Sequence, residues 1–154
     1  MVTSDLSIRL SCPADRGALL LLWERSVRAT HDFLTEGDID FFRPLVAQYF
    51  EGSTDIWVLT DKSDMPIGFL GLDGHSIAAL FVEPAFFGKG GGRRLVSHAQ
   101  KLRAGALTVD VNEQNAAARR FYEALGFSVI DRSPLDHNGK PFPILHMRRE
   151  KPTA

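Results

Sequence analysis

The run from Gly88 to Gly92 constrains this chain more than any other stretch. A short apolar segment of strand length precedes it at residues 77–82, a Glu-Pro pair ends that strand, and a helical pattern follows to Leu102. Four glycines within five residues remove the Cβ atoms that would keep a ligand from the backbone. The helix start adds unpaired N–H groups and the positive end of the helix dipole. A phosphate group is the natural ligand of such a turn.

The glycine turn has three competing interpretations. A Walker loop requires Ser or Thr after its lysine, but Gly90 follows Lys89, so this interpretation fails. A dinucleotide-binding fingerprint is closer, because Asp110 lies about twenty residues further on, but Arg93 occupies the position of the third glycine. A flexible turn that binds nothing is the third. The last two stay open on this stretch alone.

The composition predicts one domain over residues 1–154 and argues against several classes of function. With 154 residues, 44% of them hydrophobic and 24% charged, the chain has room for a single core. A formal net charge of −1 gives no general attraction to nucleic acid or to an anionic membrane, so we expect neither as a partner. Cys12 is the only cysteine and the five histidines show no ligand spacing, so no metal site is predicted.

The sequence also bears on cellular location and assembly. The N-terminus lacks the order of basic, apolar and small residues that is typical of a signal peptide, and no apolar run approaches the length of a membrane span. We therefore expect a cytoplasmic protein. Strand edges and apolar helix faces can serve a core or an interface, so the sequence leaves both a monomer and a homodimer open.

Hydrophobic periodicity predicts a mixed α+β domain. Strands are predicted at residues 6–10, 55–60, 67–72, 77–82, 107–111, 127–130 and 144–147. Helices are predicted at residues 13–29, at 35–50, from the glycine turn to 102, and at 116–125. The order is not a regular βαβ array, which weakens the dinucleotide interpretation. It predicts a mostly antiparallel sheet of about seven strands with helices on both faces.

Two polar stretches are candidates for binding. His31-Asp32-Phe33 joins the first two helices and places a titratable ring, a carboxylate and an aromatic ring on a loop, where binding residues often lie. A capping Asp with a buried Phe explains the same residues equally well. The second stretch, residues 112–115, leads into the fourth predicted helix, with Asn115 as a good N-cap.

Across nearly its whole length the sequence resembles the GNAT superfamily of N-acetyltransferases. The acyl-CoA signature of that family is Arg/Gln-x-x-Gly-x-Gly/Ala after a strand. Gly90 and Gly92 match its glycine positions, whereas Phe87 replaces the Arg or Gln. Since family members hold the pyrophosphate with backbone amides here, this departure bears on the packing of the loop more than on cofactor binding.

A second motif and three short stretches extend the resemblance. The family pattern Asn-x-x-Ala-x-x-x-Tyr followed by Gly-Phe is matched by Asn115, Ala118, Tyr122 and residues 126–127. Residues 30–34, 112–115 and 139–143 look most like the small bacterial YjaB-type members of the superfamily.

The resemblance implies an enzyme that moves an acetyl group from acetyl-CoA to a primary amine by direct attack in a ternary complex, without a metal. The central sheet would be splayed in its middle. Acetyl-CoA would lie between the strands at 77–82 and 107–111, and its pantetheine would pair with the first of them. The implied cofactor-binding residues are Leu80, Phe81, Val82, Phe87, Gly88, Lys89, Gly90, Gly91, Gly92, Arg93, Asn115 and Tyr122.

Two of these residues have implied catalytic roles. The backbone N–H near Leu80 would stabilise the oxyanion that develops during acyl transfer. Tyr122 would protonate the departing thiolate, because a phenol near pKa 10 and a thiol near pKa 8.5 can exchange a proton when they are hydrogen-bonded. An ordinary packed aromatic side chain is the alternative for Tyr122.

The general base is the third implied role. Some family members place a Glu near the start of the strand before the loop, and Gly74 falls at that position here. We therefore predict that the neighbouring His75 is the base or the end of a water relay, with His31, Asp32 and Glu83 as alternatives.

The acceptor side is less constrained. His31, Phe33 and His146 are predicted to bind the acceptor amine, whose identity the sequence leaves open. A non-catalytic acyl-CoA-binding or sensing module on the same fold is the alternative function. An intact Tyr122 favours the enzyme, because a sensor has no need of an acid for the leaving group.

Overall fold

The structure, a computed structural model, describes residues 5–150. The strands are β1 (Ser7–Leu10), β2 (Ile56–Thr60), β3 (Pro66–Asp73), β4 (Ser76–Val82), β5 (Leu107–Asn112), β6 (Ser128–Ser133) and β7 (Ile144–Arg149). The helices are α1 (Arg16–Thr30), α2 (Glu36–Gly52), α3 (Gly91–Leu102) and α4 (Ala116–Ala124). The strands form one seven-stranded sheet in the order β1-β2-β3-β4-β5-β7-β6. The predicted mixed α+β fold is confirmed.

The sheet is antiparallel except at its centre. α3 carries the chain from β4 back to the start of β5, so these two strands run parallel. They pair only at Ser76↔Thr108 and Ile77↔Val109. Beyond those pairs the two strands separate, which confirms the splay in the middle of the sheet.

A β-bulge in β4 lies at the point of separation. Gly71 pairs with Ala79 and Leu72 pairs with Ile77, so Ala78 is an extra residue on β4. A bulge bends the strand that contains it and increases its local twist. The bend therefore turns the second half of β4 away from β5 and opens a gap between them.

The helices cover the two faces of the sheet. α1 and α2 pack on one face and α3 and α4 on the other, so β2 and β3 are buried on both sides and are almost continuously apolar. Each fully buried large aliphatic or aromatic side chain contributes roughly 2 kcal/mol of transfer free energy. The first core includes Leu19, Leu22, Trp23, Ile39, Phe50 and Phe69, and the second includes Leu95, Val96, Ala99, Val109, Tyr122 and Phe127.

Local signals explain where α2 begins and why β6 differs from its predicted bounds. Thr35 Oγ1 accepts from Asp38 N at 3.1 Å and the Asp38 carboxylate accepts from Thr35 N at 2.9 Å, a reciprocal cap. β6 begins at Ser128 and continues to Ser133, three residues beyond the predicted end. It is an edge strand whose side chains are almost all exposed, so the sequence carries no apolar alternation there. None of the helices within residues 5–150 is long and apolar enough to cross a membrane.

Candidate active site

The gap between β4 and β5 is a cleft of about 600 Å³. Its walls come from α1, from the second half of β4, from the glycine turn and from α4. Because α1 and α4 pack on opposite faces of the sheet, the residues that line the cleft come from both faces.

The glycine turn supplies free N–H groups to one end of this cleft. Gly88 and Gly90 have φ angles of +74° and +85°, which only glycine adopts without strain. Gly90 is the N-cap of α3, and the first intrahelical bond runs from Arg94 N to Gly90 O at 3.0 Å. The N–H groups of the three residues between them have no acceptor within the helix. With the helix dipole they form a site for an anion such as a diphosphate.

Two further glycines of the turn are needed for packing. A Cβ on Gly91 would lie 3.0 Å from Leu59 Cδ2, and one on Gly92 would lie 3.0 Å from Phe121 Cζ. The glycine run therefore combines left-handed backbone with close approach of α3 to the sheet and to α4.

Most of the predicted loop residues line the cleft. These are Phe87, Gly88, Gly90, Gly91, Gly92 and Arg93. Lys89 is not among them; it is exposed, and its Nζ lies 5.9 Å from the centre of the Phe86 ring. Phe86 lines the cleft and was not singled out by the sequence analysis.

β4 presents backbone N–H groups to the same space. Leu80, Phe81 and Val82 line the cleft. Glu83 N donates to Ile67 O on the β3 side at 2.8 Å, and N–H directions alternate along a strand. The N–H groups of Leu80 and Val82 therefore point away from β3, towards the open gap.

α4 brings the two residues of the second motif to the cleft. Asn115 is 8% exposed, and its Oδ1 accepts from Ala118 N at 3.1 Å, so it caps the helix as predicted. Tyr122 is held edge-on between Phe121 and Phe127, with ring centroids 5.0 and 5.3 Å away. Burial raises the pKa of Tyr122 above its ordinary value, so its phenol is protonated. Its hydroxyl makes no hydrogen bond within residues 5–150.

The opposite wall is formed by α1 and carries His31. Thr30 Oγ1 donates to Ser26 O at 2.8 Å, which uses its only proton. His31 Nδ1 lies 2.7 Å from the same oxygen and must therefore donate to it. The Nε2 atom keeps its lone pair. Burial lowers the pKa of His31 to about 4, against a smaller opposing effect of Asp32, so the ring is neutral near pH 7.

The structure places His75 outside the residues that line the cleft, and so gives no support to the prediction that it acts as the base. His75 is exposed in the turn before β4, and its Nε2 lies 3.0 Å from Ala104 O. It precedes Leu80 by five residues, or about 16 Å along the strand. Nearness in sequence did not predict this position, because an extended strand separates residues that are close along the chain.

The other predicted polar residues also lie outside the lining of the cleft. Glu83 accepts two hydrogen bonds from Arg25 at 2.6 and 2.8 Å, and Asp32 is exposed. The ring of Phe33 lies 5.3 Å from that of His31 but is not among the residues that line the cleft. His146 lies on β7, bonded to neighbouring strands.

Ser26 and Thr30 line the cleft and orient His31, although neither was predicted as a site residue. Ser26 lies in the apolar stripe of α1 and is 3% exposed. The sequence feature that could have identified Ser26 is a hydroxyl group at a core position of a helix.

Sequence comparison links the chain to known acetyltransferases. A family model described as an acetyltransferase (GNAT) domain matches residues 52–129. The peptidyl-lysine N-acetyltransferase YjaB of Salmonella typhimurium is 41% identical over 142 residues, which cover 92% of this chain and 97% of the relative. The peptidyl-lysine N-acetyltransferase YiaC of Escherichia coli is 29% identical over 135 residues, covering 87% of this chain and 91% of the relative.

Structural comparison gives the same fold. The solution structure of apo-form YjaB from Escherichia coli superposes with a TM-score of 0.87 at 40% identity, covering 97% of this chain and 99% of that one. The PaiA N-acetyltransferase of Thermoplasma acidophilum, solved in complex with coenzyme A, gives a TM-score of 0.74 at 19% identity and covers 94% and 98% of the two chains. At that identity the second comparison supports the fold alone.

Proposed function

This chain belongs to the GNAT family of acetyltransferases, and we propose that it moves the acetyl group of acetyl-CoA to the side-chain amine of a lysine in a protein or peptide. The observation that carries the proposal is the cleft between β4 and β5. It joins an anion-binding turn, an open strand edge and a buried phenol on one side to a neutral imidazole on the other.

The donor side of the cleft fits acetyl-CoA. The free N–H groups at the start of α3 suit the diphosphate, and glycines leave the backbone accessible there. The exposed N–H group of Val82 can pair with an amide carbonyl of an extended pantetheine arm, as an added strand does at a sheet edge, while that of Leu80 is left for the thioester. The lining residues from Leu80 to Tyr122 are mainly apolar, which suits the thioester and excludes water.

The names of two relatives support the proposed acceptor class. Both curated relatives compared above are named as peptidyl-lysine N-acetyltransferases. The wall beside α1 fits a neutral amine, because the lone pair of His31 Nε2 can accept its N–H. A half-buried, neutral imidazole at this position orients the nitrogen without adding a charge beside the thioester.

The residues act on three atoms during transfer. The Leu80 N–H donates to the carbonyl oxygen as negative charge develops there. The Tyr122 O–H donates to the sulfur as the C–S bond breaks. Because burial raises the pKa of this phenol, it stabilises the thiolate first by hydrogen bonding and completes proton transfer only as the thiolate leaves.

His31 accepts the proton that the nitrogen must lose. Its pKa of about 4 makes it a weak base towards a free ammonium group near pKa 10.4. The nitrogen becomes far more acidic once it has bonded to the carbonyl carbon. We therefore assign proton transfer to His31 to the stage after the nitrogen has bonded to the carbonyl carbon. The first ammonium proton is lost to solvent before the amine enters the cleft.

The donor half of this proposal is tested by unfolding the protein with acetyl-CoA, CoA and NAD in parallel. A ligand that binds only the folded state raises the free energy of unfolding by about 2.7 kcal/mol at a hundredfold excess over its dissociation constant. Stabilisation by both CoA species and not by NAD is the expected result. Stabilisation by NAD alone, or by none of the three, would contradict the assignment of the cleft.

A further inference from the structure

Outside the cleft, Ser133, His146 and Asp110 form a hydrogen-bonded row across β6, β7 and β5. Ser133 Oγ lies 2.7 Å from His146 Nε2, and His146 Nδ1 lies 2.6 Å from Asp110 Oδ1. The other carboxylate oxygen of Asp110 lies 3.0 Å from His137 Nε2. None of these four residues lines the cleft.

The chemistry of the row fixes which atom donates at each step. An ionised Asp110 can only accept, so the Nδ1 of His146 carries the proton that faces it. In neutral His146 the Nε2 atom then holds the lone pair and accepts the Ser133 O–H. A hydroxyl, a base within reach of it, and a carboxylate that orients the base form the arrangement that activates a serine nucleophile.

The fold builds this arrangement with a bulge. Asp110 lies directly opposite His146 in the β5–β7 ladder. In the β6–β7 ladder Val129 pairs with Met147 and Asp131 with His146, so Ile130 is an extra residue. The extra residue reverses the alternation of β6, which places Ser133 on the same face as His146. Ser133 is only partly buried and remains accessible to a small reagent.

We propose that Ser133 is an activated nucleophile that takes an acyl group from small activated esters, independently of the acetyltransferase cleft. Ser133 Oγ attacks the carbonyl carbon while its proton moves to His146 Nε2. The ester C–O bond breaks, and the leaving alkoxide or phenoxide takes that proton or departs as the anion. Asp110 is a positioning residue that holds the Nδ1–H tautomer of His146 and stabilises the imidazolium.

The openness of the row decides how far the reaction goes. The side chains of His146 and Asp110 are 27% and 37% exposed. Hydrolysis of the acyl-serine is the harder step, because water must attack an ordinary ester whose leaving group is the serine alkoxide, and an open face offers no preorganised, water-excluded site for the oxyanion. We therefore expect one acyl group per chain to accumulate on Ser133 instead of rapid turnover.

The test is acetylation by 4-nitrophenyl acetate, followed by nitrophenolate release and by mass spectrometry of peptides. The wild type should gain one acetyl group on Ser133. Ser133→Ala should lose it, and His146→Gln should slow it by about 100-fold, the usual contribution of a general base. Ser128→Ala, a change on the same strand at a serine that is hydrogen-bonded to no histidine within residues 5–150, should react as the wild type does.

Two further measurements distinguish activation of Ser133 from an effect on folding and from a reaction in the acetyltransferase cleft. The ¹⁵N chemical shifts of His146 should show a ring protonated at Nδ1 in the wild type. In Asp110→Asn the preference for this tautomer should be lost, and the labelling of Ser133 should be lost with it. In Tyr122→Phe, Ser133 should be acetylated at the wild-type rate. No acetyl group on Ser133 of the wild type, or equal labelling in His146→Gln with unchanged melting temperature, would overturn the proposal.

Discussion

At the scale of single residues, Tyr122 carries the clearest prediction. Its ring is fixed by Phe121 and Phe127, so Tyr122→Phe removes the hydroxyl with little change in packing. We expect kcat to fall by about 100-fold, in the range found for general acids. Stabilisation by acetyl-CoA should stay at the wild-type value. Steady-state kinetics beside ligand-dependent unfolding measures both, and an unchanged kcat would leave Tyr122 as a packing residue.

His31 and His75 form a matched pair for testing the base. His31 lies in the wall of the cleft with a free Nε2 lone pair, and His75 lies outside it. His31→Gln should lower kcat by about 10- to 100-fold. His75→Gln should leave kcat and its pH profile unchanged. The reverse ranking of the two variants would restore His75 as the base.

The lowered pKa of His31 also predicts a pH dependence of stability. Its pKa is about 4 in the folded protein and near 6.5 in the unfolded chain, so the unfolded chain binds more protons between these values. The free energy of unfolding should therefore fall by about 2 kcal/mol from pH 7 to pH 5 through this group alone.

Burial also lowers the pKa of His98, which adds to the loss of unfolding free energy as the pH falls. The relevant quantity is therefore the difference between the wild type and His31→Gln in chemical denaturation without ligand. The variant should lose less stability over this interval. Parallel curves for the two proteins would show that His31 titrates normally in the folded state.

At the scale of elements, the glycine turn predicts separable effects on stability and binding. Gly90 and Gly105 have φ angles of +85° and +96°, but only Gly90 lies in the cleft. Replacement of either by Ala should cost about 1 kcal/mol of stability, because an L-residue is strained there. Only Gly90→Ala should also weaken acetyl-CoA binding, by about tenfold or 1.4 kcal/mol, since Gly90 lines the cleft at the N-cap of α3, beside the free N–H groups. Titration calorimetry compares the two, and equal affinities would place the diphosphate elsewhere.

Elements with a strong local signal were predictable from the sequence. The helices from 16 to 30 and from 36 to 52 show apolar periodicity, and Thr35 marks the start of the second. The glycine turn predicts the start of α3. The bulges at Ala78 and Ile130 were not predicted, because they depend on the register of two paired strands rather than on either strand alone.

At the scale of the whole molecule, the site joins residues that are distant along the chain. The donor half was predictable, because the glycine turn and the motif from Asn115 to Tyr122 are each a short continuous stretch of sequence. The acceptor half was predicted only in part, because His31 lines the cleft whereas Phe33 and His146 do not, and this depends on how α1 and β7 pack rather than on any local pattern. The same limit hid the row of Asp110, Ser133 and His146, which three strands bring together.

Acetyl transfer from acetyl-CoA to a lysine-containing peptide tests the central claim most directly. Release of free CoA thiol is followed with and without the peptide, and the peptide is then sequenced by mass spectrometry. We predict peptide-dependent thiol release by the wild type, an acetyl group on the lysine Nζ, and a loss of both in Tyr122→Phe. Stabilisation by acetyl-CoA without thiol release from any of a panel of lysine peptides and small amines would contradict the account and indicate an acyl-CoA-binding module instead.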